Sequence, residues 1–269
     1  MELPARIASA VVMGLAAGVS VLFGGIWFAL IVALGALAAL REWHRLINDG
    51  RFARETFVTG VAVVAAIWLD VFQGALELAL AAVAFGAAAA ALSAALRSLP
   101  SWRLSLWHAA GAIYIGLPAL SLVAMRAEPR GAAVIGGLFV AVWTADTGAL
   151  LFGRLIGGPK LAPVLSPNKT WAGFLGGTFA ASVGEVIYVA LLGGVLFQAL
   201  IFGFFLALAG HCGDLFESWV KRRFHAKNTG RLIPGHGGML DRIDSMLLAA
   251  PICAMLVFVM NFNPLRPLQ

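Results

Sequence analysis

Near its C-terminus an otherwise apolar sequence sets acids and bases side by side. Asp214, Glu217, Ser218 and Lys221 stand at i, i+3, i+4 and i+7, and Asp241, Asp244 and Ser245 at i, i+3 and i+4. On helices each set lines a single face, so two helices each present a carboxylate stripe. Carboxylates this close repel one another unless positive charge stands between them. A hard divalent cation such as Mg2+ suits them, since it takes oxygen ligands and keeps waters and phosphates in its shell. The positive side chains Lys221, Arg222, Arg223, Lys227, Arg231 and Arg242 fall in the same stretch. Glycines 235, 237 and 238 surround His236 and leave backbone N–H groups open to an anion. Acid, base and glycine together make the composition of a site for Mg2+ and a polyphosphate.

Two more segments carry polar groups into apolar runs. TADTGALLFGR at 144–154 places Asp146 between Thr144 and Thr147, well inside an apolar stretch. SPNKT at 166–170 precedes another, where Thr170 reads as a helix cap and Ser166 and Lys169 flank a helix N-terminus that attracts phosphate. Acids inside a membrane are rare and costly without a purpose, which makes Asp146, Asp214, Asp241 and Asp244 the candidate functional acids. Other polar residues read as ordinary. Glu42, Asp49 and Glu55 are loop charges, Glu185 is a lone acid within a span, and His44, His108 and His225 are interfacial or loop residues. Lys221–Arg223 taken alone is explained equally well by membrane topology.

The elements that must position these groups are membrane helices. Of 269 residues, 61% are hydrophobic and 12% charged, and the mean hydropathy is +0.92. A span needs about 20 mostly apolar residues. The fold class is therefore all-α, a polytopic integral membrane protein with about nine transmembrane helices. The expected spans are 7–22, 24–41, 57–73, 75–96, 105–125, 132–152, 171–192, 196–220 and 240–262. With the N-terminus inside, 16 of the 19 lysines and arginines fall in inside loops, and Arg126, Arg130 and Arg266 lie outside. The positive-inside rule thus predicts an N-in/C-out chain. The three polar segments then open on one membrane face. Residues 1–130 form an N-terminal helical part for packing, dimerisation or lipid contact, and residues 131–269 carry the chemistry. Cys212 and Cys253 lie in or beside apolar segments and read as small packed residues, outside any disulfide or zinc framework. The alanine-rich 74–96 segment reads as close helix packing.

On these residues the sequence resembles the phosphatidate cytidylyltransferases, or CDP-diacylglycerol synthases. The family signature runs S-x-x-K-R, four residues, K-D, then a short gap to H-G-G-x-x-D-R-x-D. Here it reads Ser218, Lys221, Arg222, Lys227, Asn228, His236, Gly237, Gly238, Asp241, Arg242 and Asp244. DTGA at 146–149, SPNKT at 166–170 and GDLFES at 213–218 look like further family blocks. Asn228 stands where the family usually has Asp, and Leu150 and Ala172 where it more often has an aromatic and a polar residue.

The resemblance implies that CTP and phosphatidate give CDP-diacylglycerol and pyrophosphate at a bacterial-type inner membrane, with the site facing the cytosol. It implies metal ligation by Asp214, Asp241 and Asp244, with Asp146 next. Lys221, Arg222, Lys227 and Arg242 would hold the phosphates, with Ser166, Lys169, Thr170, Ser218, His236, Gly237 and Gly238 completing the substrate pocket. It also implies Mg2+, a second cation that is monovalent such as K+, membrane lipids as partners and a homodimer. No nucleic acid is expected. The alternatives are a CTP-dependent lipid kinase, a CDP-lipid synthase for another lipid phosphate and, more distantly, an ion-coupled transporter. Against the last, the polar groups gather at one face rather than at the midplane.

Overall fold

A computed structural model describes residues 2–96, 102–230, 232–233 and 237–265, with side chains from residue 11 onward. Nearly all of it is helix. In hydrocarbon every backbone N–H and C=O must bond within the chain, and a helix achieves this inside one segment. The helices are α1 (Glu2–Phe23), α2 (Gly25–Ile47), α3 (Glu55–Gln73), α4 (Leu76–Ala95), α5 (Trp102–Ala127), α6 (Gly131–Leu155), α7 (Trp171–Leu191), α8 (Leu196–Arg223) and α9 (Leu240–Ala254). A π-helical turn, Met255–Val259, extends α9. Eight helices are long and apolar enough to cross a membrane, α2 through α8 and Leu240–Val259, and Val11–Phe23 is a shorter apolar helix. The chain is an integral membrane protein. The ends differ from expectation at α2, which continues through Arg41–Ile47 past its apolar run. The polar turn there stays helical and buries Glu42, Trp43, His44, Leu46 and Ile47.

The chain divides into two compact units, one of Met1–Glu128 with Arg223–Ile243, the other of Pro129–Arg222 with Asp244–Gln269. The chain passes from the first unit to the second near 128, and 223–243 groups with the N-terminal helices. In the first unit α2, α3, α4 and α5 pack together. The alanine-rich face of α4 buries Ala79, Val83, Ala87, Ala90 and Ala94. A core of Ala66, Ala79, Val83 and Leu120 joins α3, α4 and α5. His44 and His108 were expected at an interface or loop. Instead they stack inside this unit, with their Nδ1 atoms 2.9 Å apart and His44 Nε2 3.1 Å from Thr59 Oγ1.

In the second unit α6 and α7 are the most intimate neighbours, and a hairpin joins them. Its strands are β1 (Lys160–Ala162) and β2 (Ser166–Thr170), antiparallel, with Lys160 opposite Thr170 and Ala162 opposite Ser166. Pro167 is tolerated because a two-stranded sheet is all edge. Both cysteines are free thiols; Cys253 is buried and Cys212 is exposed.

Candidate active site

The second unit holds a cavity of about 690 Å3 lined by Asp146, Lys169, Thr170, His211 and Asp214. Three elements deliver these groups. α6 carries Asp146 and β2 carries Ser166 and Lys169, which also line it. Thr170 ends the strand and caps α7, its hydroxyl accepting the N–H of Gly173 at 3.1 Å, as the sequence predicted. α8 supplies His211 and Asp214 three residues apart, hence on one face.

The charges of this unit are in close register. Lys169 Nζ pairs with Asp214 Oδ2. Ser218 Oγ lies 3.5 Å from Asp214 Oδ1, one turn along α8. Lys221 Nζ pairs with the buried Glu217 at 2.5 Å, again one turn apart. Asp146 lies within electrostatic reach of Asp214 and Lys169. Asp244 lies within reach of Asp214, Asp146 and Lys221. It is brought there by Gly213, where an added Cβ would stand 2.5 Å from the carbonyl oxygen of Asp244, so α8 and α9 touch backbone to backbone. Arg154 and Lys160 add cations to the cavity wall. Arg222 is exposed at the end of α8.

In the first unit Asp241 has a second task. Its Oδ2 accepts the N–H of Thr229 at 3.0 Å, the hydroxyl of Thr229 at 2.9 Å and the N–H of Gly238 at 3.0 Å. Glu42 does the same from α2: its carboxylate accepts the N–H of Met239 at 3.0 Å, just before α9, and of Leu240 at 2.8 Å, its first residue. Negative charge at a helix N-terminus is stabilising there. The N–H of Gly238, which the sequence left open to an anion, is therefore given to Asp241. No side chain fits at Gly238, because a Cβ would collide with Glu42 Oε2 and Thr229 Oγ1. Gly237 takes φ +87° beside Asp241 and accepts the N–H of Ile233 through its carbonyl at 2.9 Å. Lys227 and Arg242 are exposed. His236 lies outside the described residues.

Sequence reasoning passed over Glu42, Thr229 and His211. His211 had a signal, its spacing of three from Asp214. It is buried, packs against Phe174, and its Nε2 has no hydrogen-bond partner among the described residues. Glu42 had none, since a helix-end glutamate in a basic segment looks like any loop charge.

The donor set of the second unit suits a divalent cation. Asp146, Asp214, Asp244 and Glu217 gather there, and among the described residues Lys169 pairs with Asp214 and Lys221 with Glu217. Among the described residues no three His, Cys, Asp or Glu side chains stand at mutual metal-ligating spacing. Mg2+ does not require such a cage: it is commonly held by one or two carboxylates, with waters and substrate phosphates filling its shell.

Comparison with known proteins identifies the family. The profile of the cytidylyltransferase family matches residues 4–260. The chain is 39% identical over 260 residues to phosphatidate cytidylyltransferase of Brucella suis, covering 93% of this chain and 92% of that one. It is 41% identical over 146 residues to phosphatidate cytidylyltransferase of Staphylococcus saprophyticus, covering 54% of this chain and 55% of that protein. A family match along nearly the whole chain makes this protein a member of the cytidylyltransferase family.

Proposed function

We propose that the protein transfers the cytidylyl group of CTP to phosphatidate, forming CDP-diacylglycerol and releasing pyrophosphate. The observation that carries this reading is the cavity of the second unit, where Asp146 and Asp214 meet Lys169, Lys160 and Arg154 in a membrane protein of this family. A phosphate monoester has a second pKa of about 6, so the lipid phosphate is largely dianionic at neutral pH and needs no strong base. Its oxygen attacks the α-phosphorus of CTP; the bond from that phosphorus to the bridging oxygen of the β-phosphate breaks, and pyrophosphate leaves. The protein's work is then positioning and charge neutralisation. Lys169 is held beside Asp214, where it meets a phosphate oxygen at the edge of β2. Ser166 and Thr170 close the phosphate pocket, and Ser218 orients Asp214. Lys221 and Arg222 lie about two turns beyond Asp214 on α8 and neutralise phosphate.

Mg2+ is proposed to be held by Asp214 and Asp244 with Asp146 beside them, and it would supply charge stabilisation on the phosphoryl oxygens. In the first unit Lys227, Gly237, Gly238 and Arg242 are proposed for phosphate, with His236. Asp241 is proposed to serve the metal as well as its loop. A second, monovalent cation such as K+ and a homodimer belong to the same proposal; a K+ titration of activity and the mass in detergent by light scattering test them. Nine spans with the N-terminus inside follow if α1 crosses the membrane too. Its 22 residues are about 33 Å long, enough for a hydrocarbon core of about 30 Å. Cysteine-accessibility labelling of residues 50 and 194 tests this orientation, and labelling of both from one side would exclude it. On that topology we propose that the site faces the cytosol at the inner membrane.

The deciding assay follows α-labelled CTP into lipid with phosphatidate and Mg2+ in detergent micelles. Label should enter the lipid, and Asp214→Asn and Asp241→Asn should abolish it. Release of CDP with a newly phosphorylated lipid would replace the reading by a lipid kinase. Intact CTP with every lipid phosphate offered would end it.

A further inference from the structure

A second cavity lies wholly within the first unit and shares no lining residue with the α6–α8 cavity. Its volume is about 810 Å3, within the range of nucleotide-sized sites. One wall is the polar last turns of α2, with Arg41 and Arg45; the other is the segment after α8, with Lys227 and Asn228. Arg41 and Arg45 are one turn apart and both exposed, whereas the residues between them turn inward. Among the described residues Arg41 and Lys227 make no hydrogen bond or ion pair, and Arg45 only donates Nε to the carbonyl of Gly50 at 3.3 Å. Two acids share the lining, Glu42 and Asp49. Glu42 is already engaged by the N–H groups of Met239 and Leu240, which leaves Asp49 as the acid opposing three cations. Leu46, Phe224 and Leu232 add an apolar wall.

Arginines at the end of a membrane helix commonly reach toward lipid phosphates. That explains Arg41 and Arg45 singly, but not a third cation on the far wall of the same cavity. We infer that Arg41, Arg45 and Lys227 form a phosphate-binding site whose ligand carries adjacent phosphates, as the triphosphate of a nucleotide or the pyrophosphate released from it does. Arg41 and Arg45 lie outside the motifs, and a role in turnover for them rests on the cytidylyl-transfer reading. The binding does not. The lipid phosphomonoester, with a single phosphate, is the competing ligand that the test separates from it.

The test uses the full-length protein in detergent and calorimetric titration of inorganic tripolyphosphate, with short-chain phosphatidate as a separate arm. Hydrogen bonds to charged groups support a loss of about tenfold or more for Arg41→Gln with Arg45→Gln, even after discounting their exposure. Asn228→Asp, which adds a negative charge to the wall, should weaken binding a few-fold, roughly as expected for one screened charge. Lys160→Gln removes only binding that belongs to the α6–α8 cavity, so the loss in the arginine variant is read against it. Loss of phosphatidate binding alone in the arginine variant assigns the cavity to the lipid. Wild-type affinity for both probes in that variant, folded by its thermal midpoint, overturns the inference. Should the arginine variant not fold, Lys227→Gln and Asn228→Asp decide at exposed positions. Label transfer is measured on the same samples. Turnover with unchanged binding sinks the inference alone; altered binding without any CDP-lipid sinks only the reaction.

Discussion

Glu42→Gln tests how the start of α9 is held. The side chain is 6% exposed. Its carboxylate takes two N–H donors, from Met239 and Leu240, and lies 3.3 Å from the hydroxyl of Thr229. That hydroxyl has one proton and stands closer to Asp241, at 2.9 Å, so Glu42 keeps the two backbone bonds. Glutamine preserves the shape but offers one acceptor oxygen, and its amide nitrogen must face one N–H donor. One charge-assisted bond is lost, worth about 1.5–3 kcal/mol. The favourable charge at the helix N-terminus goes as well, worth about 0.3–1 kcal/mol. Burial leaves little water to compensate, so the local cost is about 2–4 kcal/mol. At about 1.4 kcal/mol per tenfold, amide exchange at Met239 and Leu240 should quicken by about 30- to 700-fold. Hydrogen exchange with mass spectrometry on peptides spanning 225–245 reads it, and activity should fall with it because Asp241 and Asp244 ride on that turn. Exchange within about threefold of the wild-type rate would refute the anchoring role of Glu42.

Thr170→Ala removes the cap of α7 and should cost about 1 kcal/mol in thermal unfolding, while Thr170→Ser should cost little. Gly213→Ala forces a Cβ against the backbone of Asp244 and should cost about 1–3 kcal/mol; label transfer should fall more than the thermal midpoint implies, because Asp244 is displaced from Asp214. In the buried histidine pair Thr59 donates to the carbonyl of Glu55 at 2.8 Å and so accepts from His44 Nε2; His44 Nδ1 must then accept from His108 Nδ1. Thr59→Val orphans the His44 N–H and should destabilise by about 1–3 kcal/mol, whereas Thr59→Ser should restore the bond. Equal stability of the Val and Ser variants would show that the chain of donors runs otherwise.

Much of this protein was legible one residue at a time. The spacing of Asp214, Ser218 and Lys221 names one helix face, and the structure bonds Ser218 to Asp214 along it. Thr170 before an apolar run announces a cap, and it is one. The β1–β2 hairpin was not legible, because a three-residue and a five-residue strand around prolines have no periodicity to detect. Nor was the extension of α2 through Arg41–Ile47, whose polar residues end the hydrophobic signal without ending the helix.

Composition, hydropathy and motif spacing alone determined that the chain is a helical membrane protein and which side chains carry its charge. They are local quantities, and membrane helices close their hydrogen bonds locally. Tertiary structure alone decided which partner each charge meets. Lys169 is 45 residues from Asp214 in sequence yet pairs with it. Glu42, from the far end of the chain, holds the first turn of α9, and Gly213 lets Asp244 come alongside Asp214. Such pairings depend on where helices cross and how closely their backbones approach, and no pattern within a single segment encodes that.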